Sequence, residues 1–131
     1  MTEYVFDIEA DSIDATKIHC MVANGYRVNK DFFVNLQEDD VLIGHNIIRY
    51  DIPVLEKLLG IKIKAQLIDT LALSWYLFPA VNRHGLAQWG ERLKIDKPII
   101  TDWENLSLEE YLHRCKEDVK INTKLWNLQK S

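Results

Sequence analysis

Two acidic residues near the N-terminus have the type and spacing that divalent metal chemistry requires. Asp7 lies within a predicted strand over residues 4–8, and Glu9 lies two residues further on, just beyond the end of that strand. Because alternate side chains of a strand project from the same face, both carboxylates point to one side of the sheet. Neighbouring carboxylates repel each other at neutral pH unless a cation lies between them. The pair therefore predicts either a metal site or a solvent-exposed acidic strand edge.

A second group of polar residues follows the predicted strand over residues 41–44. This strand ends at His45 and Asn46, and Asp51 opens a predicted helix over residues 51–59. Loops at strand ends are held by a rigid sheet and often carry binding groups. Asp51 also suits a helix N-cap, and Asn46 suits a turn, so the segment has both a functional and a structural interpretation.

A third carboxylate, Asp118, lies in the last predicted helix. Ser107 and Glu110 have capping-box spacing, and an apolar stripe that includes Cys115 and Val119 follows them. Asp118 borders this stripe on the helical wheel, so it should lie at the rim of the packed face. A carboxylate at that position can point into a cleft, although most helical aspartates are simply solvated.

The predicted elements indicate an α/β fold. Strands are predicted at residues 4–8, 17–22, 26–34, 41–44 and 66–68, and further helices at 69–77, where Asp69 or Thr70 is the cap, and 86–93. Strands come first and then alternate with helices, which predicts a mixed β-sheet flanked by α-helices. We expect residues 1–131 to form a single domain.

Composition narrows the classes of function. The chain has a formal net charge of −4 and a pI near 5.5, which argues against a protein that coats nucleic acid but not against an enzyme that meets it through metal ions. No apolar run is long enough to span a membrane, and acidic residues interrupt the N-terminus where a signal peptide would be apolar. We therefore expect a cytoplasmic protein. Cys20 and Cys115 predict buried side chains rather than a zinc site or a disulfide framework.

Three motifs, in order, resemble those of the DEDD 3′–5′ exonucleases of the RNase H-like superfamily. They are Asp7-Ile8-Glu9, then His45-Asn46 with Tyr50-Asp51, and then Asp118-Val119. The chain is most similar to the proofreading exonuclease domain of bacteriophage family A DNA polymerases, and the likeness runs from about residue 5 to residue 125. A phage origin would place the protein in the host cytoplasm.

The resemblance implies a site and a substrate. Asp7, Glu9, Asp51 and Asp118 would hold two Mg²⁺ or Mn²⁺ ions, which activate the attacking water and stabilise the departing 3′ oxygen. His45, Asn46 and Tyr50 would line the channel for the 3′ end of single-stranded DNA. The chain would act alone or beside a separate DNA polymerase. Two alternatives stay open: an exoribonuclease acting on short RNA, and a nucleic-acid-binding or polymerase-accessory module that has lost turnover.

The third motif departs from the family pattern. One branch of the family has a Tyr four residues before the last Asp, but this chain has Arg114 there. His113 matches the other branch, in which a His five residues before the Asp acts as the general base. On a regular helix, however, five residues correspond to a rotation of about 140°. His113 is therefore predicted either as a base on a broken helix or as an exposed residue on a continuous one.

Overall fold

A five-stranded mixed sheet organises the molecule, as the sequence predicts. The computed structural model describes residues 2–95 and 107–131; residues 1 and 96–106 of the predicted domain lie outside the described residues. The strand order is β3-β2-β1-β4-β5; β1 pairs antiparallel with β2 and parallel with β4. The strands are β1 (Glu3–Ala10), β2 (Ile18–Ala23), β3 (Tyr26–Arg27), β4 (Val41–Gly44) and β5 (Gln66–Asp69), and the helices are α1 (Lys30–Val34), α2 (Ile52–Leu59), α3 (Thr70–Leu77), α4 (Leu86–Arg92) and α5 (Leu108–Lys130).

Both faces of the sheet are covered, and the alternation along β1 decides what each face contains. Phe6 and Ile8 pack into an apolar cluster with residues of α1 and α2. Val5 projects from the opposite face and packs against Cys115 and Val119 of α5. Asp7 and Glu9 have the same parity as Val5, so β1 directs both carboxylates towards α5. The sheet thereby brings the first and third acidic motifs to the same face.

The predicted strand over residues 26–34 is wrong beyond Arg27. The chain turns there into α1, because the Asn29 side chain accepts a hydrogen bond from the Asp31 N–H and caps the helix. Phe33 then lies buried on the inner side of α1. A short apolar run gives no periodicity that distinguishes a strand from one turn of helix, and the Asn29 cap was the signal that the interpretation missed.

An irregular turn connects β4 to α2 and carries the second motif. Residues Ile47–Asp51 form one turn of π-helix, which follows Asn46 in the left-handed conformation with φ 64°. Gly44 is needed just before it, since a Cβ there would collide with the Ile47 side chain. Gly60, with φ 63°, ends α2 in the left-handed conformation that its sequence position predicts.

The last helix is continuous. α5 runs unbroken from Leu108 to Lys130, and Ser107 and Glu110 form the predicted capping box. Cys20 and Cys115 are both buried free thiols, as predicted. None of the helices in the described ranges is long and apolar enough to cross a lipid bilayer.

Candidate functional site

Three of the predicted carboxylates converge at the junction of β1 and α5. One ligand atom each from Asp7, Glu9 and Asp118 lies within 4.8 Å of the other two. Asp7 and Glu9 are partly buried, and Asp118 is buried with an exposed fraction of 6%. Residues more than a hundred positions apart in sequence thus form one acidic cluster, which we call the carboxylate cluster.

Asp51 lies beside this cluster rather than within its tightest group. It is buried, with an exposed fraction of 5%, and its side chain makes no N-cap hydrogen bond although it precedes α2. The capping interpretation of Asp51 is therefore wrong. Its charge acts on Asp7, and the charges of Glu9 and Asp118 act on Asp51. All the carboxylates that the motifs predicted are electrostatically coupled.

The electrostatics of the cluster are unfavourable without a cation. Burial raises the pKa of Asp7 well above its ordinary value, and the charges of Asp118, Asp51 and Glu9 raise it further. A hydrogen bond with the Asp118 side chain contributes to the same rise in the pKa of Asp7. Burial is likewise the main reason that the pKa of Asp51 is raised, followed by the charge of Asp69. Protonation is how this site relieves its repulsion when no metal ion does so.

The donor set fits a hard divalent cation. The Asp7 Oδ2 atom is buried and has no hydrogen-bond partner in the described part of the chain. A buried carboxylate oxygen without a donor is costly, and a cation is the ligand that satisfies it. All the converging ligands are carboxylate oxygens, which suit Mg²⁺ or Mn²⁺ better than zinc.

A cation of the protein itself also lies at the cluster. The Arg114 Nε atom is 3.3 Å from Glu9 Oε1, and the exposed side-chain fractions of the two residues are 20% and 14%. Two further ion pairs, Lys57–Asp14 and Lys130–Glu3, lie on the surface. The sequence identified Arg114 only as a departure from a motif, because the residue pattern does not reveal that β1 places Glu9 against it.

His113 is not brought into the cluster. Its side chain is exposed, and α5 is continuous through it. Of the two outcomes that the sequence left open, the structure has the unbroken helix that directs His113 and Asp118 to different faces. The condition under which His113 could act as the general base is therefore not met.

His45 is held on both sides of its ring. Its Nδ1 lies 2.8 Å from Thr70 Oγ1, and its Nε2 lies 2.7 Å from the carbonyl oxygen of His84. Burial lowers its pKa, so the ring is neutral, with Nε2 donating to the carbonyl. Both ring nitrogens are thus used inside the protein. Of the two interpretations of His45, the geometry favours the packed histidine at a strand end over the substrate contact.

A polar network extends from His45 through the core beneath α3. Thr70 and Ser74 are completely buried; Asn122 Nδ2 donates to Thr70 Oγ1 at 2.9 Å, and Trp89 Nε1 donates to Ser74 Oγ at 2.8 Å. Ser74 Oγ also contacts His84 Nδ1 at 2.6 Å. We call these residues the α3 network. The sequence did not predict this network. The available signal was the spacing of four residues between Thr70 and Ser74, which places two hydroxyls on one helix face.

The loop that carries Asn46 is anchored by Asp69. This carboxylate accepts backbone hydrogen bonds from Asn46 at 2.9 Å, from Ile48 at 3.2 Å and from Leu71 at 2.9 Å. Asp69 therefore caps α3, as predicted, and also fixes the start of the π-helical turn over Ile47–Asp51. Asn46 lines a cavity of about 290 Å³ together with Arg49 and the half-exposed ring of Trp75. The Trp75 ring also stacks on the His84 ring, with 3.9 Å between the ring centroids.

Tyr50, in the π-helical turn over Ile47–Asp51, connects this turn to the loop after β1. Its hydroxyl donates to the carbonyl oxygen of Ser12 at 2.7 Å. Partial burial, followed by the charge of Asp51, raises its pKa, so the hydroxyl keeps its proton at neutral pH. Tyr50 thus holds together two segments that flank the carboxylate cluster.

Comparisons with known proteins agree with this fold. The structure of NrnC from Brucella melitensis with bound Mg²⁺ matches with a TM-score of 0.74 at 18% identity, over 98% of this chain and 71% of that one. Another structure of NrnC from the same organism matches with a TM-score of 0.69 over the same shares. At this identity the likeness shows the fold, which is the predicted RNase H-like fold.

The sequence itself resembles a short part of a DNA polymerase. It is 32% identical over 96 residues to the PolC-type DNA polymerase III of Mycoplasma genitalium; the match covers 70% of this chain but only 6% of that protein. No protein-family model matches the chain. Neither comparison bears on the narrower resemblance to bacteriophage family A polymerases. The shared fold and the sequence match are both in keeping with the resemblance to DEDD-type exonucleases that the three motifs carry.

Proposed function

We propose that the protein is a metal-dependent 3′–5′ exonuclease that hydrolyses phosphodiester bonds at the 3′ end of single-stranded DNA. The observation that carries the proposal is the convergence of Asp7, Glu9 and Asp118 within 4.8 Å, with buried Asp51 coupled to them. A protein without metal chemistry gains nothing from like charges held in partial burial, because their repulsion destabilises it.

The chain's own residues perform defined tasks in this mechanism. Asp7, Glu9, Asp51 and Asp118 hold two Mg²⁺ or Mn²⁺ ions. When bound, such ions activate water and stabilise the oxygen that leaves from phosphorus. The Tyr50–Ser12 hydrogen bond and the three hydrogen bonds to Asp69 keep the flanking segments in place. His113 is left out of the proposed machinery, since it lies on the exposed side of α5.

The cavity beside Asn46 is the proposed channel for the end of the strand. The exposed face of the Trp75 ring offers a stacking surface for a base, and stacking on an aromatic ring does not depend on base identity. Arg49 on the rim can contact a phosphate. We propose DNA as the substrate because the sequence relative is a DNA polymerase. The same resemblance makes a separate DNA polymerase the proposed partner.

The test is a cleavage assay on end-labelled oligonucleotides. The protein is incubated with 5′-labelled single-stranded DNA or with RNA of the same sequence, with Mg²⁺, with Mn²⁺ or with excess chelator. We expect a ladder of DNA shortened stepwise from the 3′ end, only when divalent metal is present. Undiminished cleavage in chelator would contradict the metal mechanism.

Two further outcomes would change the proposal in defined ways. Faster cleavage of RNA than of DNA would make the chain an exoribonuclease with the same site. Binding of DNA without cleavage in either metal would make it a binding module of the same fold.

A further inference from the structure

The ion pair between Arg114 and Glu9 places a permanent cation at the edge of the carboxylate cluster. Guanidinium is always charged, and Arg114 is one turn of α5 before Asp118, on the same side of the helix. The surface pairs Lys57–Asp14 and Lys130–Glu3 leave the lysine side chains 64% and 44% exposed, whereas the Arg114 side chain is 20% exposed. An ion pair this sheltered is screened far less by salt than those on the surface.

We propose that Arg114 is a catalytic residue that donates hydrogen bonds to the non-bridging oxygens of the scissile phosphate while its Nε edge stays on Glu9. This inference rests on the proposed function. A guanidinium presents its N–H donors as a planar fork, so it can hold a carboxylate on one edge and a phosphate on the other. A phosphate that reaches the cluster must approach several carboxylates, and Arg114 supplies positive charge where that approach ends.

The competing explanation is that Arg114 only fixes Glu9 and attaches α5 to β1. The two explanations differ in what happens to metal binding. If Arg114 only holds Glu9 in place, its removal should weaken Mg²⁺ binding and lower the rate together. If Arg114 serves the phosphate, its removal takes a cation away from the metal site, so Mg²⁺ should bind as tightly as before or more tightly, while turnover falls.

The experiment compares Arg114→Gln, Arg114→Lys and the wild-type chain, with Lys120→Gln as the matched control. Lys120→Gln removes the same charge from the exposed side of the same helix. Calorimetric titration with Mg²⁺ in the absence of DNA gives the metal affinity, and cleavage of labelled single-stranded DNA gives kcat and KM.

For Arg114→Gln we expect kcat to fall by about a hundredfold, the scale of losing one preorganised charge-stabilising group, with Mg²⁺ affinity unchanged or increased. Arg114→Lys keeps the charge and the pairing with Glu9 but loses the fork, so it should fold and still lose roughly tenfold in kcat. Lys120→Gln should match the wild type in both measurements.

Three results would overturn the inference. One is a kcat within about threefold of wild type for both Arg114 variants, far short of the expected loss. Another is a loss of Mg²⁺ affinity large enough to account for the loss of rate. The third is an Arg114→Lys variant with full activity, because a point charge would then suffice. If the wild-type chain cleaves neither DNA nor RNA, the proposed function itself fails and the inference fails with it.

Discussion

Two buried polar regions of this small domain satisfy their polar groups in different ways. Residues 44–51 contribute to both, since His45 belongs to the α3 network and Asp51 is coupled to the carboxylate cluster. In the α3 network, Thr70, Ser74 and Asn122 are buried and hydrogen-bonded to neutral partners. In the carboxylate cluster, Asp7 and Asp118 are held together although their charges repel, and Asp7 Oδ2 lacks a donor among the described residues. The first region stabilises the fold, whereas the second weakens it until a cation binds.

The largest effect is expected in the carboxylate cluster, where one substitution should remove activity and yet raise stability. Asp7→Asn should abolish cleavage, because it removes a metal ligand. It should also stabilise the metal-free protein by roughly 1 kcal/mol, since it removes a carboxylate from a repelling group. The cleavage assay and thermal unfolding in chelator measure the two effects. Glu38→Gln, at an exposed position, is the control that should change neither.

An Asp7→Asn protein that unfolds at a lower temperature than the wild type would mark Asp7 as a structural residue. An Asp7→Asn protein with near-normal cleavage would remove it from the site.

In the α3 network we expect a substitution to lower the stability of the protein rather than to raise it. Thr70→Val keeps the shape of the side chain but removes the hydroxyl that accepts from Asn122 and contacts His45 Nδ1. Leaving such buried groups without partners costs about 1–3 kcal/mol, which urea unfolding should show as a lower midpoint. Thr123→Val is the control, because the Thr123 hydroxyl only contacts the Val119 carbonyl within its own helix. Equal unfolding midpoints for the two variants would contradict this assignment.

Lowering the pH should change the stability of the metal-free protein, because two carboxylates of the site have raised pKa values. The pKa values of Asp7 and Asp51 are higher in the folded state than the ordinary 3.8, so the folded protein binds protons more tightly than the unfolded chain. The metal-free protein should therefore become more stable as the pH falls from neutral towards 3.8. Asp11 opposes this at lower pH, because its hydrogen bonds with Thr16 lower its pKa to about 2.

Thermal unfolding in chelator across this pH range measures the effect. In Asp7→Asn the gain on acidification should be smaller than in the wild type. A wild-type protein that loses stability steadily from neutral pH downwards would contradict the electrostatic picture of the cluster.

The smallest effect is expected at His113. Because its side chain is exposed on the continuous helix α5, His113→Ala should leave the rate within about threefold of wild type, far from the hundredfold or more that loss of a general base costs. The cleavage assay measures it. A hundredfold loss, together with the disappearance of an ionisation near that of imidazole, would restore His113 as the base.

The sequence predicted well what local patterns and ordered motifs encode. The periodicity around β1 and the capping box at Ser107 located the elements that carry Asp7, Glu9 and Asp118. Helical geometry likewise showed that His113 and Asp118 share a face only if α5 is broken. These features depend on a few consecutive residues, so a single sequence contains them.

What the sequence could not supply depends on contacts between distant segments. The pairing of Arg114 with Glu9 follows from the packing of α5 on β1, and neither residue's neighbours indicate it. The same is true of His45, whose ring lies between Thr70 and the carbonyl of His84. The error over residues 28–34 has a local cause, because one short apolar run suits either a strand or a helical turn.

Counting the metal ions that bind to the cluster tests the central claim most directly. Metal-free protein is titrated calorimetrically with Mn²⁺ and then with Mg²⁺ at neutral pH, beside Asp7→Asn and Glu38→Gln. We predict two ions per wild-type and Glu38→Gln chain, with proton release as metal binding deprotonates Asp7, whose pKa is raised, and weaker or lost binding in Asp7→Asn. Equal metal binding by the wild type and Asp7→Asn would contradict the claim that these carboxylates form the metal centre.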